Sequence, residues 1–246
     1  MTVTALTRMA GTDDPDLDVV VFPGAGAGPA SIACWRTLLP LRWRLHAVCF
    51  PGRGTRFGDP IGTDPTPLID EVVTEIQRRI TAPVVLFGHS LGAFWALEAA
   101  AKLDPVALVT AGAFAPTPGE PIPRIVSTDE DDHEFTKALM IANGITDPGI
   151  AEQLAAACVP IMQGDIALAH VWTAPAEPLA CPILSYFGTE EQLPDHTWGR
   201  LSTTWTEQIT IPGDHFFYQS SAFALIDDMA SRLEAAQENR RRTVTQ

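Results

Sequence analysis

Pro83-Val84-Val85-Leu86-Phe87-Gly88-His89-Ser90-Leu91-Gly92 is the stretch whose reading decides the fold. Pro83–Phe87 is a short apolar, β-branched run and predicts a buried strand. Gly92–Leu103 is rich in alanine and predicts a helix. Between them lies G-x-S-x-G, Gly88 to Gly92, in the strand–turn–helix setting that exposes a serine hydroxyl on a sharp bend. The glycines have a steric reason. A side chain two residues before or after the serine would strike neighbouring backbone.

The same alternation extends outward in both directions. Leu17–Phe22 predicts a strand that runs into Pro23-Gly24-Ala25-Gly26-Ala27-Gly28. Arg44–Phe50 predicts a second strand, ended by Pro51-Gly52-Arg53-Gly54. Pro67–Ile80 carries Leu68, Ile69, Val72, Val73, Ile76 and Ile80 at helical spacing. Further strands are expected over Pro105–Thr110, Cys181–Phe187 and Trp205–Ile211. The tail from Ser221 to Arg240 reads as a helix with Phe223, Ile226, Met229 and Leu233 on one face. The segment before Leu17 is polar and reads as loose. Short apolar strands alternating with helices imply an α/β fold, with a mostly parallel central sheet covered by helices on both faces. Residues 1–246 read as one domain. Residues 129–170 break the alternation with helix after helix, separated at Asn143-Gly144 and Asp147-Pro148-Gly149. An inserted helical lid over the carboxyl edge of the sheet fits that break, and extra packing helices are the plainer alternative.

Composition narrows the function classes. Net charge is −14, which disfavours nucleic acid and anionic membranes as partners. Residues 129–195 hold twelve acids and one base, Lys137, so any basic patch lies elsewhere. No uninterrupted apolar run reaches the ~18 residues of a membrane span, and Met1–Asp18 does not read as a signal peptide. Cys34, Cys49, Cys158 and Cys181 are scattered and read as free thiols, with no metal framework. The cytoplasm is the expected compartment. A dinucleotide loop at Gly24–Gly28 is disfavoured because the G-x-G-x-x-G spacing is missing, and no cofactor is expected.

A serine hydroxyl needs an adjacent base. In hydrolases of this α/β type the chain order is Ser, acid, His. His215, in Pro212-Gly213-Asp214-His215-Phe216-Phe217, follows the last strand-like run and is the expected base. His46, His89, His133, His170 and His196 fall in a strand, the elbow, the lid region or a loop, where structural or surface roles are expected. The acid is expected after Cys181–Phe187, in Gly188-Thr189-Glu190-Glu191-Gln192-Leu193-Pro194-Asp195. Glu191 is the first choice, with Glu190 and Asp195 as rivals. Asp214 adjoins the histidine in sequence and is badly placed to reach Nδ1. The oxyanion of the attacked carbonyl needs two preset N–H donors, and the backbone amides of Leu91 and Ala25 are the candidates.

These pieces, taken in order along the chain, resemble the type II thioesterases of polyketide synthases and nonribosomal peptide synthetases, members of the α/β-hydrolase superfamily. Phe22-Pro23-Gly24-Ala25-Gly26 is similar to the family's oxyanion loop, Phe50–Arg56 to its P-G-R-x-x-R segment, and Leu86–Ala93 to its nucleophile segment. Pro160–Asp165 resembles the P-x-x-R-A-D run that ends the lid, and Gly213–Phe217 the G-x-H-F-F histidine segment. The resemblance implies hydrolysis of acyl groups from the phosphopantetheine thiol of acyl or peptidyl carrier proteins, without metal. It also suggests Arg53 and Arg56 as contacts for the arm's phosphate, with a fold-stabilising ion pair as the alternative. The chain departs from the family in two places: Glu191 stands where Asp is usual, before a loop that looks shortened ahead of Trp198, and Gln163 stands where Arg is usual. A small-molecule carboxylester hydrolase, and a non-catalytic synthase-binding protein with a decayed triad, are the competing readings.

Overall fold

A computed structural model describes residues 4–125, 128–192 and 197–244, with side chains of the last helix as far as Glu234. Seven strands form one sheet: β1 Leu6–Gly11, β2 Leu17–Phe22, β3 Trp43–Val48, β4 Val84–His89, β5 Ala107–Ala111, β6 Ile183–Gly188 and β7 Thr206–Ile211. Their order is β1-β3-β2-β4-β5-β6-β7, and every pairing is parallel except β1 with β3. The helices are α1 Pro65–Arg79, α2 Gly92–Lys102, α3 Asp129–Ala142, α4 Pro148–Val171, α5 Phe217–Ser220 and α6 Ala222–Val244.

The central strands β2, β4, β5 and β6 are largely apolar and buried, and the two-residue period sends alternate side chains to opposite faces, each with its own cover. Val20, Phe22, Leu86, Leu108 and Ile183 face α1, α2 and α4. Val19, Val21, Val85, Phe87 and Leu184 face a 3-10 segment, Pro29–Thr37, and α6. Each fully buried aliphatic side chain contributes about 1.5–3 kcal/mol. One charged group interrupts this pattern. Asp18 of β2 is fully buried, and its carboxylate accepts from Arg44 Nε at 2.7 Å, Arg44 Nη2 at 2.9 Å and His46 Nε2 at 2.8 Å. The parallel register of β2 and β3 sets Asp18 opposite Arg44, so this cluster bonds two strands through side chains as well as backbone.

Helix starts follow local chemistry. Asp64 caps α1 by accepting from Thr66 N, with Pro65 in the first turn, so the helix begins two residues before the expected Pro67. Thr128 and Asp131 form a reciprocal capping box on α3, and Asp147 caps α4. Gly144, at φ +91°, lies between the pair.

Three expectations change. The N-terminal segment is not loose: Leu6–Gly11 is an antiparallel edge strand with a register shift between Arg8 and Ala10. Its pairing partner, β3, lies more than thirty residues away, and only Leu6 of the strand is buried. Phe223 is not on the inner face of α6 but 69% exposed; Leu225, Ile226, Met229 and Leu233 face inward. Finally, α4 is long and apolar enough to cross a bilayer by length and mean hydropathy, although polar residues interrupt every apolar run well short of 18 residues. Here it packs chiefly against α3, with a smaller contact to α1, and carries the buried Asp165.

Candidate active site

The loops after β2, β4, β5, β6 and β7 all leave the carboxyl edge of the sheet, where open α/β sheets place ligands. β4 ends at the elbow. Ser90 has φ +52°, the only positive value at a non-glycine among the described residues. Such a conformation costs about 1–2 kcal/mol and is held here by its surroundings. Ser90 N–H donates to Ala111 O at 2.7 Å, pinning the bend to the end of β5. A Cβ on Gly88 would lie 2.4 Å from Ala93 Cα, and one on Gly92 would lie 2.2 Å from Phe22 O. No side chain fits at either position, which is why the motif needs both glycines. The amino end of α2 starts beside the serine and directs its partial positive charge there.

His215 follows β7 and Glu191 follows β6, and the structure brings them together. His215 Nδ1 lies 2.7 Å from Glu191 Oε1. The other carboxylate oxygen, Oε2, accepts from Gly188 N–H at 2.7 Å, so both oxygens are held. Glu190 is exposed and donates only its backbone N–H, to Gly213 O. Asp195 and His196 lie outside the described residues. Asp214 Oδ1 accepts from Phe216 N–H at 2.8 Å and is turned to its own loop.

Ser90 and Gly112 share the wall of one cavity, and Gly112 backs onto the imidazole: a Cβ there would lie 3.0 Å from His215 Cε1 and 3.2 Å from Glu191 Oε1. With φ +59° as well, position 112 is restricted to glycine on two counts. Among the described residues no direct hydrogen bond joins Ser90 to His215. His89 is buried behind the base. Its Nε2 donates to His215 O at 2.9 Å, and its ring lies against Tyr218 at 4.0 Å. Burial, and then the charge of a protonated His215, hold His89 well below the usual histidine range, so it stays neutral.

Ala25 and Leu91 both line the cavity. Neither backbone N–H has an acceptor within the chain among the described residues. The loop carrying Ala25 is held from two sides. Ala27 N–H donates to Gly24 O, and Gly26 N–H donates to Asp165 Oδ2 of α4 at 2.8 Å. Asp165 is buried and forms a two-pronged pair with Arg53, with both contacts at 2.6 Å. Arg53 also donates to Ala27 O and Pro51 O, and Arg56 is paired with Asp59 and Glu71. Both arginines are therefore engaged inside the chain, and the ion-pair alternative describes them better than a phosphate contact. The Arg53–Asp165 pair spans 112 residues, and no local sequence pattern announces it.

The Ser90 cavity has a volume of about 410 Å³. Phe94, Phe114, Phe135, Met162 and Ile166 make its wall largely apolar, and α3 adds Asp131 and Asp132. A second cavity of about 470 Å³ adjoins it, sharing Ile125, Asp132 and Ile166 and adding Arg124, Gln163 and His170. The remaining histidines have structural partners: His46 with Asp18, His133 with Glu152, and His170, whose Nε2 accepts from Ile125 N–H. An apolar chamber with a half-buried serine on its wall, two free amides and a carboxylate-oriented imidazole suits acyl transfer.

Comparison with known proteins agrees with that chemistry. The family model described as a thioesterase domain matches residues 18–237. The medium-chain S-acyl fatty acid synthase thioesterase of Rattus norvegicus is 27% identical over 217 residues, covering 83% of this chain and 82% of its own. The gramicidin S biosynthesis protein GrsT of Aneurinibacillus migulanus is 26% identical over 237 residues, covering 88% and 89%. In fold, the type II thioesterase BorB from the borrelidin biosynthetic cluster superposes with a TM-score of 0.77 at 23% identity, over 95% of this chain and all of that one.

Proposed function

The chain belongs to the thioesterase family, and on that premise we propose that it hydrolyses acyl groups from the phosphopantetheine arm of acyl or peptidyl carrier proteins in polyketide or nonribosomal peptide synthesis, in the cytoplasm. Ser90 is the nucleophile, His215 the base and Glu191 the acid. The observation that carries the reading is Ser90 held at φ +52° on the wall of an apolar cavity, beside two unengaged amides.

Ser90 Oγ attacks the thioester carbonyl carbon as His215 Nε2 takes its proton. Glu191, accepting from Nδ1–H, keeps Nε2 free for that proton and stabilises the imidazolium. The amides of Ala25 and Leu91 receive the oxyanion. The C–S bond breaks, and the thiol of the arm leaves with the proton from His215. Water, activated by the same imidazole, then attacks the acyl-Ser90 ester and releases the acid. A thiolate is a good leaving group, so the triad suffices. The helices α3 and α4 act as the lid, and their apolar wall holds the acyl chain away from bulk water.

The test is hydrolysis of acyl-carrier protein by the parent and by Ser90→Ala. Ser90→Ala should abolish turnover, and a serine-directed fluorophosphonate should label the parent only. Parent-level turnover by Ser90→Ala would refute the mechanism. A parent that prefers small oxygen esters would make it a carboxylester hydrolase, and an unlabelled Ser90 would favour a scaffold.

A further inference from the structure

One wall of the Ser90 cavity does not match the rest. Asp132, the fourth residue of α3, is only 6% exposed, and it lines both this cavity and the adjoining one. Its Oδ2 accepts from Gln163 Nε2 at 2.9 Å, and the same amide donates to Asp129 Oδ1 at 3.3 Å. Oδ1 of Asp132 has no donor among the described residues. No cation among the described residues pairs with it. Lys137 pairs with Glu134 and Glu152, Arg124 lines the second cavity without an ion pair to Asp132, and His170 on the same wall turns Nε2 to the Ile125 N–H. Asp131, exposed and bonded to Thr128, adds a like charge. The amino end of α3 supplies only a partial positive charge.

A carboxylate against an apolar wall is strongly unfavourable once a hydrocarbon chain displaces its water, unless a cation arrives with the chain. Gln163 sharpens the point. It is placed between two aspartates and bonds both, yet brings no charge to either. The neutral amide leaves that charge to be supplied by the ligand.

We propose that Asp132 reads the acyl chain and selects thioesters whose acyl group carries a protonated amine. The proposal rests on the thioesterase reading above. It makes Asp132 a specificity determinant, with Gln163 orienting its carboxylate.

The experiment compares kcat/KM for carrier proteins loaded with shape-matched acyl groups: β-alanyl against butyryl, and 6-aminohexanoyl against heptanoyl, with the N-acetyl derivatives and 3-hydroxybutyryl as uncharged polar controls. At least one amine should exceed its hydrocarbon partner by about tenfold or more, and acetylation should remove the advantage. Asp132→Asn and Gln163→Arg should each bring the ratio towards one, the second by providing an internal counter-ion while Asp132 stays in place. Retention of the ratio in both variants, or a hydroxyacyl preference equal to that for the amine, overturns the proposal. Turnover of neutral chains without any preference for amines overturns it while leaving the thioesterase reading intact, whereas failure to cleave every thioester overturns that reading itself.

Discussion

Glu191→Gln separates orientation of the base from mere contact with it. The two oxygens of Glu191 have two different donors, His215 Nδ1 and Gly188 N–H, each at 2.7 Å. A carboxylate accepts from both, but an amide has only one oxygen. If that oxygen turns to Gly188, the NH₂ group faces Nδ1, which must then be the acceptor; the imidazole proton moves to Nε2, the wrong tautomer for taking a proton from Ser90. If the oxygen turns to His215, two N–H groups meet at Gly188, and the unsatisfied donors cost about 1–3 kcal/mol. The first arrangement therefore dominates. A triad with its tautomer reversed in this way loses about 10⁴ in kcat, or roughly 5.4 kcal/mol of barrier. The assay is steady-state hydrolysis of acyl-carrier protein, with KM recorded separately and circular dichroism to verify the fold. Kcat should collapse while KM changes little. A folded variant within about tenfold of parent kcat would show that Glu191 does not orient His215 and would transfer the role to Glu190 or Asp195.

Two stability predictions follow from buried charges. Arg53→Met leaves Asp165 buried without its partner and should destabilise the fold by about 3–5 kcal/mol in urea unfolding; a loss under about 1 kcal/mol would mean that the pair is energetically idle. Burial pushes the Asp18 carboxyl up, but hydrogen bonds from His46 and Arg44, with their charges, outweigh it and hold the group below the ordinary carboxylate range. A depressed folded pKa gives stability that is present above the unfolded value of about 3.9 and is lost as pH falls through the folded one. The urea midpoint should therefore drop between about pH 5 and pH 2, and Asp18→Asn should flatten that slope; an unaltered slope would assign the acid sensitivity to other carboxylates.

The legible parts of this chain are those whose cause is local. The β4–Ser90–α2 unit could be read because its strand, its glycines and its helix are contiguous, and clashes of 2.4 Å at Gly88 and 2.2 Å at Gly92 leave few alternatives. That His215 and Glu191 meet is legible from chain order, helped by the apolar strand β6 before Glu191 and by the Gly213–Phe217 segment after the more polar β7. The edge strand β1 was not visible because edge position spares it the apolar alternation: Arg8 and Gly11 face solvent or turn, and its stability comes from β3. The Arg53–Asp165 pair and the role of Gly112 depend on segments brought together only by folding. Asp132 was hidden differently. In Asp129-Glu130-Asp131-Asp132 it looks like one more solvated charge, and only the helical rotation that buries it, while the other three stay exposed, separates it from its neighbours.

The bond from Gly26 to Asp165 also ties two parts of the site together. Asp165 lies on α4, and Gly26 adjoins Ala25, whose amide is the proposed oxyanion donor. An outward displacement of α4 would have to break this contact or carry the loop along with it. On the proposed mechanism, the position of α4 and the placement of the Ala25 amide are therefore mechanically coupled, and sheltering the ester from water and setting the oxyanion donor become one event rather than two.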